Sequence, residues 1–112
     1  MSTKKPTRMS DKSMAFLENL TGKKMTLGNL LWSVRECEEM TQAEFAKTLG
    51  VSRQYLCDVE RGRRTVSTKA AADFADTLGY SSMQFIRLAI QDDLDKNGFH
   101  FDVEIHSHKN AA

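Results

Sequence analysis

The stretch "MTQAEFAKTLGVSRQYLCDVERGRR", Met40 to Arg64, decides how the chain is read. Thr41 followed three residues later by Glu44 has the form of a capping box, and Phe45, Ala46 and Leu49 then recur at helical spacing until Gly50 stops the helix. Ser52 opens a second short helix whose apolar residues are Leu56 and Val59, and Gly62 closes it. The link "GVS" between them has the length and glycine content of a helix-turn-helix turn, in which the second helix is held out toward the major groove of DNA.

Three more helices are expected around this pair. Thr26 caps the first, which carries Leu27, Leu30, Leu31 and Val34 at i, i+3, i+4 and i+7. Ser67 starts the fourth, with Ala71, Phe74, Ala75 and Leu78 inward and Gly79 as its stop. The fifth runs from Ser81, with Gln84 in the box position, to about Lys96, and its apolar side is Phe85, Ile86, Ala89, Ile90 and Leu94. Upstream, residues 1–12 read as a flexible basic arm with Lys4, Lys5 and Arg8, and Ser13 to Leu20 as a short helix within a segment ending at residue 24. After Gly98 the period changes to two: Phe99, Phe101, Val103 and Ile105 alternate with His100, Asp102, Glu104 and His106. The expectation there is a C-terminal β-strand that must find a partner, by preference its own copy across a two-fold axis. The implied layout is a helix-turn-helix domain over residues 25–80, a dimerisation helix and strand over 81–106, and a disordered tail over 107–112.

Composition excludes several classes. The chain has 112 residues, 40% of them hydrophobic, which suits one globular domain with tails, and the five helical stripes make that domain all-α. Its apolar runs are short, so no membrane span or cleavable leader is expected and a cytoplasmic location is. Cys37 and Cys57 do not form a C-x-x-C pair and are not flanked by histidines at metal-ligand spacing, and His100, His106 and His108 fall on the polar face or the tail, so neither a metal nor a cofactor is expected. No nucleophile and base, catalytic carboxylate pair or phosphate-cradling loop points to an enzyme. Charge is uneven: residues 1–70 hold 13 Lys and Arg against 8 Asp and Glu, a net of +5, whereas residues 71–112 hold 3 against 7, a net of −4. The basic part suits a nucleic acid and the acidic part a protein.

The pattern from about Leu27 to Leu78 resembles the lambda-type Cro and repressor family, often called XRE-type. The likeness rests on the Thr41-Gln42 pair, Ala43 and Ala46 as small packing residues, Leu49-Gly50-Val51 at the turn, and Glu60 before Arg61-Gly62. The resemblance implies a five-helix lambda-repressor-like fold and an ion pair between Arg35 in the first helix and Glu60 at the end of the third. It also implies a sequence-specific regulator, by preference a repressor of its own promoter, binding a palindromic double-stranded DNA operator as a homodimer with half-sites about 34 Å apart. The front of the third helix then offers Arg53, Gln54 and Tyr55 to base edges, with Asp58 a turn deeper. Gln42, Ser52, Arg61, Arg63, Arg64 and Thr65 fall beside the phosphates, where contacts give salt-sensitive affinity without sequence preference. The homodimer is expected to use Phe85, Ile86, Ile90, Phe99, Phe101, Val103 and Ile105; the rival is that these residues fold back on their own subunit as core. A second, looser likeness joins the segment "FLENLTGKKMTLGNLL" and the acidic tail to the antitoxin repressors of bacterial toxin-antitoxin modules, which implies a cognate toxin as a further partner. A controller of a restriction-modification or phage switch is a third possibility.

Overall fold

The computed structural model describes residues 25–108, so the basic arm, the short helix at Ser13–Leu20 and the last four residues lie outside it. The described residues form five helices: α1 (Leu27–Cys37), α2 (Gln42–Leu49), α3 (Arg53–Glu60), α4 (Thr68–Leu78) and α5 (Ser82–Lys96). Their starts follow from side-chain capping. The Oγ1 of Thr26 and the Oγ of Ser52 and Ser67 accept from the backbone N–H three residues on, and Thr41 with Glu44 closes a reciprocal box. Each cap satisfies donors that the first helical turn would otherwise leave unpaired. Ser81 departs from this pattern, because it makes no side-chain cap bond and the box with Gln84 does not close.

The core is a single cluster to which every helix contributes. Leu27, Leu30, Leu31 and Val34 from α1 meet Phe45, Ala46 and Leu49 from α2, Leu56 and Val59 from α3, Ala71, Phe74, Ala75 and Leu78 from α4, and Phe85, Leu88 and Ala89 from α5. Ala43, expected as a packing residue, is exposed. α2 packs on α3 and α3 on α1, while α4 and α5 form the other large contact. Gly28 explains how closely α1 and α3 approach: a methyl group there would overlap the carbonyl oxygen of Val59. A glycine within a leucine-rich helix therefore marks backbone contact between helices, not a weak point. α5 also ties to α1, since Asp92 Oδ2 accepts the Leu27 N–H at 3.0 Å and puts a negative charge at the positive end of α1.

Two expectations for the C-terminal part need correction. Residues 99–106 are not paired as a β-strand among the described residues. A strand needs a neighbouring backbone, and within this chain the segment meets a helix instead. Buried Gln91 of α5 supplies the partner: its Nε2 donates to the Phe101 carbonyl at 2.7 Å and its Oε1 accepts from the Val103 N–H at 2.8 Å. One side-chain amide thus stands in for one peptide of a pairing strand. Further on, the Ser107 hydroxyl lies 3.4 Å from Met83 Sδ, so the segment runs back along α5 toward its start.

The second correction concerns Phe85, expected at a dimer interface. It is buried within the subunit and stacks on Tyr80 at 5.8 Å between ring centroids. The inward stripe of α5 is centred on Phe85, Leu88 and Ala89, which leaves Ile86, Ile90 and Leu94 half-buried on its flank. Val103 and Ile105 are half-buried as well, as the folded-back reading expects, whereas Phe99 and Phe101 face solvent.

Candidate nucleic-acid interface

The turn between α2 and α3 sets the direction of α3. Gly50 sits in the left-handed region at φ 77°, the Val51 N–H returns to the Ala46 carbonyl at 3.0 Å, and the Gly50 N–H to Lys47 at 3.1 Å. This Schellman closure ends α2 abruptly and lets Ser52 cap α3 two residues later. The far end of α3 is clamped to α1. Arg35 Nε donates to Glu60 Oε2 at 2.9 Å and Nη2 to Oε1 at 3.1 Å, a two-point fork, while Nη1 donates to the Met40 carbonyl at 3.0 Å. The side chains are only 12% and 4% exposed. The Glu60 hydrogen bond is the main reason that the Arg35 guanidinium is held above its ordinary pKa, against the opposing effect of burial.

Gln42 belongs to this clamp. Its Nε2 donates to Glu60 Oε1 at 3.0 Å, so the residue expected at a phosphate also joins the start of α2 to the end of α3. Ser52 spends its hydroxyl oxygen as the α3 cap.

With the buried side of α3 fixed by Leu56 and Val59, the opposite side is left to solvent. Arg53 and Gln54 are exposed on its first turn, and the Arg53 side chain makes no hydrogen bond or ion pair among the described residues. Tyr55 is half-buried. Its ring meets Phe74 edge-on at 6.4 Å, and the Arg64 guanidinium lies 4.6 Å from its centroid. Burial, opposed by the Arg64 charge, raises the Tyr55 phenol above its usual pKa. This tyrosine therefore anchors α3 to α4 and holds Arg64 by a cation–π contact. Arg61 and Arg64 are exposed on the loop after α3, beside half-buried Thr65.

Arg63 and Asp58, expected in separate roles, come together. Asp58 Oδ1 accepts from Arg63 Nε at 3.0 Å, from Arg63 Nη2 at 2.6 Å and from Gln54 Nε2 at 3.0 Å. The hydrogen bond from Arg63 is the largest cause of the lowered Asp58 pKa, which desolvation opposes. Only Gln54's spacing to Asp58, one helical turn, was open to inspection in the sequence; the return of Arg63 depends on the loop.

An interhelical fork behind an outward-facing second helix defines a helix-turn-helix protein. The sequence profile of the helix-turn-helix family matches residues 34–85, from the end of α1 into α5, and the chain belongs to this family. Two relatives carry the same segment. One is the "ImmF control region 10 kDa protein" of Bacillus phage phi105, 46% identical over 56 residues that make up 50% of this chain and 60% of the phage protein. The other is the "Uncharacterized HTH-type transcriptional regulator YazB" of Bacillus subtilis (strain 168), 38% identical over 55 residues, 49% of this chain and 80% of that protein. No solved structure matches significantly. Among the described residues no helix is long and apolar enough to cross a membrane.

Proposed function

We propose that the protein is a transcriptional regulator that reads double-stranded DNA with the solvent face of α3. The observation that carries this reading is the contrast across one short helix: Arg53 and Gln54 are exposed at its start, while Leu56, Val59 and the Arg35–Glu60 fork fix its other side. Side chains on a fixed support lose little freedom on meeting base edges, so their hydrogen bonds discriminate between sequences. Arg61, Arg64 and Thr65 on the following loop then supply phosphate contacts, together with the α2 and α3 N-termini at Gln42 and Ser52. The likeness to a phage control-region protein and to a transcriptional regulator supports control of transcription. A small domain bound over a promoter represses simply by occupying the space that polymerase needs.

One such helix reads too few base pairs to choose a site in a genome, which favours two copies on a two-fold operator. The surface best suited to join them is the Phe99–Phe101 pair, whose stacked rings are 51% and 64% exposed, with Ile86 and Ile90 on the adjoining flank of α5. Phe85 has no part in it. Selection of bound duplexes from a random pool at two salt concentrations tests the reading. The expected result is a two-fold symmetric motif whose affinity falls steeply with salt; enrichment of no sequence at either concentration refutes it.

A further inference from the structure

Asp58 puts a carboxylate on the face that the proposed function turns toward a polyanion, where it is repelled by every nearby phosphate. Its surroundings suggest what it does there. Arg63 is attached to it twice, through the side-chain fork and through the Arg63 N–H, which donates to the Asp58 carbonyl at 2.8 Å. Lys96 of α5 adds a third tether by donating to the Arg63 carbonyl at 3.4 Å. An exposed arginine beside DNA ordinarily goes to the nearest phosphate, which is the strongest and closest anion. Arg63 is instead held on α3 with its charge largely offset.

The geometry of a guanidinium decides what remains available. Nε and Nη2 form one edge of the planar fork and both donate to Asp58, and the second Nη2 N–H faces Cys57 Sγ at 3.8 Å, a weak acceptor, so Nη1 is the nitrogen left without a partner among the described residues. Nη1, joined by the second Nη2 N–H once a stronger acceptor displaces the weak thiol contact, matches the O6 and N7 acceptors of guanine in the major groove. The same carboxylate orients Gln54. With Nε2 donating to Asp58, the amide oxygen must turn away, since the opposite rotamer would set oxygen against carboxylate. Gln54 then presents an acceptor outward, suited to the amino group of adenine or cytosine.

We propose that Asp58 is a positioning residue for base readout: it turns Arg63 from a backbone contact into a guanine-reading side chain and fixes which way the Gln54 amide faces. This rests on α3 being the DNA-facing helix. The lowered pKa of Asp58 keeps it anionic, and so keeps the arrangement, throughout neutral and mildly acidic conditions.

Random-duplex selection with the full chain and with Asp58→Ala, Asp58→Asn, Arg63→Ala and Gln54→Ala tests the assignment, each variant being checked for an unchanged melting transition. Arg63→Ala is expected to lose about tenfold or more of the preference for guanine at one base position. Asp58→Ala should relax that same position and the one read by Gln54, while its affinity for non-specific duplex rises because an anion has gone. In the double variant Asp58→Ala/Arg63→Ala, the guanine position relaxes no further than in Arg63→Ala alone. Asp58→Asn, which retains one acceptor oxygen, keeps part of the preference, a rescue that a purely structural role does not predict. If Arg63→Ala weakens all sequences alike, or Asp58→Ala leaves every base preference in place, the positioning role is overturned while α3 remains the reading helix. If the unmodified chain selects no sequence, the reading of α3 itself falls, and the role of Asp58 with it.

Discussion

Removing Arg35 is the sharpest test of how the second half of the motif is held. In Arg35→Ala, Glu60 loses both of its guanidinium bonds and keeps only Gln42, although its side chain is 4% exposed and cannot turn to water without moving α3. Breaking a buried pair from one side in this way costs about 3–5 kcal/mol, because the remaining charge stays desolvated. Glu60→Ala strands Arg35, 12% exposed, with only the Met40 carbonyl and a peripheral contact to Glu36, and leaves Gln42 without its acceptor, so a similar loss is expected. Domains of this size have about 5–15 kcal/mol in total, so either variant should approach the unfolding threshold. The double variant has no stranded charge and should cost well short of the sum, a coupling of roughly 2–3 kcal/mol.

Urea denaturation with linear extrapolation measures all four corners of the cycle, provided that the m-values agree. A further pair, Arg35→Met with Glu60→Leu, separates specific bonding from mere filling of space, since apolar replacement of both partners is often close to neutral. Single losses below about 1 kcal/mol that add independently would mark the pair as a surface contact and refute the clamp. Sequence-specific DNA binding should fall in the single variants even where they remain folded, because α3 is released at its far end.

Other substitutions check separate parts of the argument. Gly28→Ala should destabilise by about 1–3 kcal/mol despite the gain in helix propensity, because the Val59 carbonyl that it meets is backbone and cannot yield cheaply; a neutral result in thermal melting would show that α1 and α3 are not in close contact. Glu39→Gly should stabilise by roughly 1 kcal/mol, since Glu39 adopts φ 56°, and a loss of stability would contradict that conformation. The chain's two tyrosines, Tyr55 and Tyr80, both have raised phenol pKa values, chiefly through burial. Their phenolate absorbance should therefore appear at higher pH in the folded protein than in denaturant. The sign follows: the folded state holds those protons longer, so stability is fully present below the unfolded tyrosine value of about 10 and is lost as pH rises through the folded values. A phenolate titration that is the same in both states would exclude this burial.

The capping residues and the turn were the most legible parts of the sequence. Thr26, Thr41, Ser52 and Ser67 each act within three residues of chain, and Gly50 needs only its own backbone, so distant contacts bear on them little, although Ser81, read by the same signal, makes no cap bond. The inward stripe of α5 was harder, because Phe85, Ile86, Ala89 and Ile90 are as apolar as the Phe85, Leu88 and Ala89 that are buried, and only the position of α4 decides between them. Gly28 was not singled out, although a helix-weakening residue amid leucines is the kind of signal that marks close approach. The clustering of Arg63 with Asp58 carried none: five residues apart across a helix end, they meet only because Gly62 turns the chain at φ 78°.

The tail shows why alternation alone does not make a strand. Period two states that a segment is extended with one apolar side, and residues 99–106 satisfy it. A ladder also requires a second backbone at the right distance, and α5 offers a helix with its own peptides already bonded. Gln91 resolves this by presenting one donor and one acceptor from a side chain that the core buries. Two bonds hold the segment at Phe101 and Val103 but cannot extend into a ladder, because no residue of α5 one turn away repeats the amide in that register. In an extended chain the peptide groups of Asp102 and Glu104 point away from those of Phe101 and Val103. The same docking that stops a strand from forming within the subunit therefore directs the outer edge of the segment away from α5. Gln91→Leu should release this edge from its support: hydrogen exchange at Val103 should rise while the helices remain protected. Unchanged protection at Val103 would mean that contacts other than the amide hold the tail.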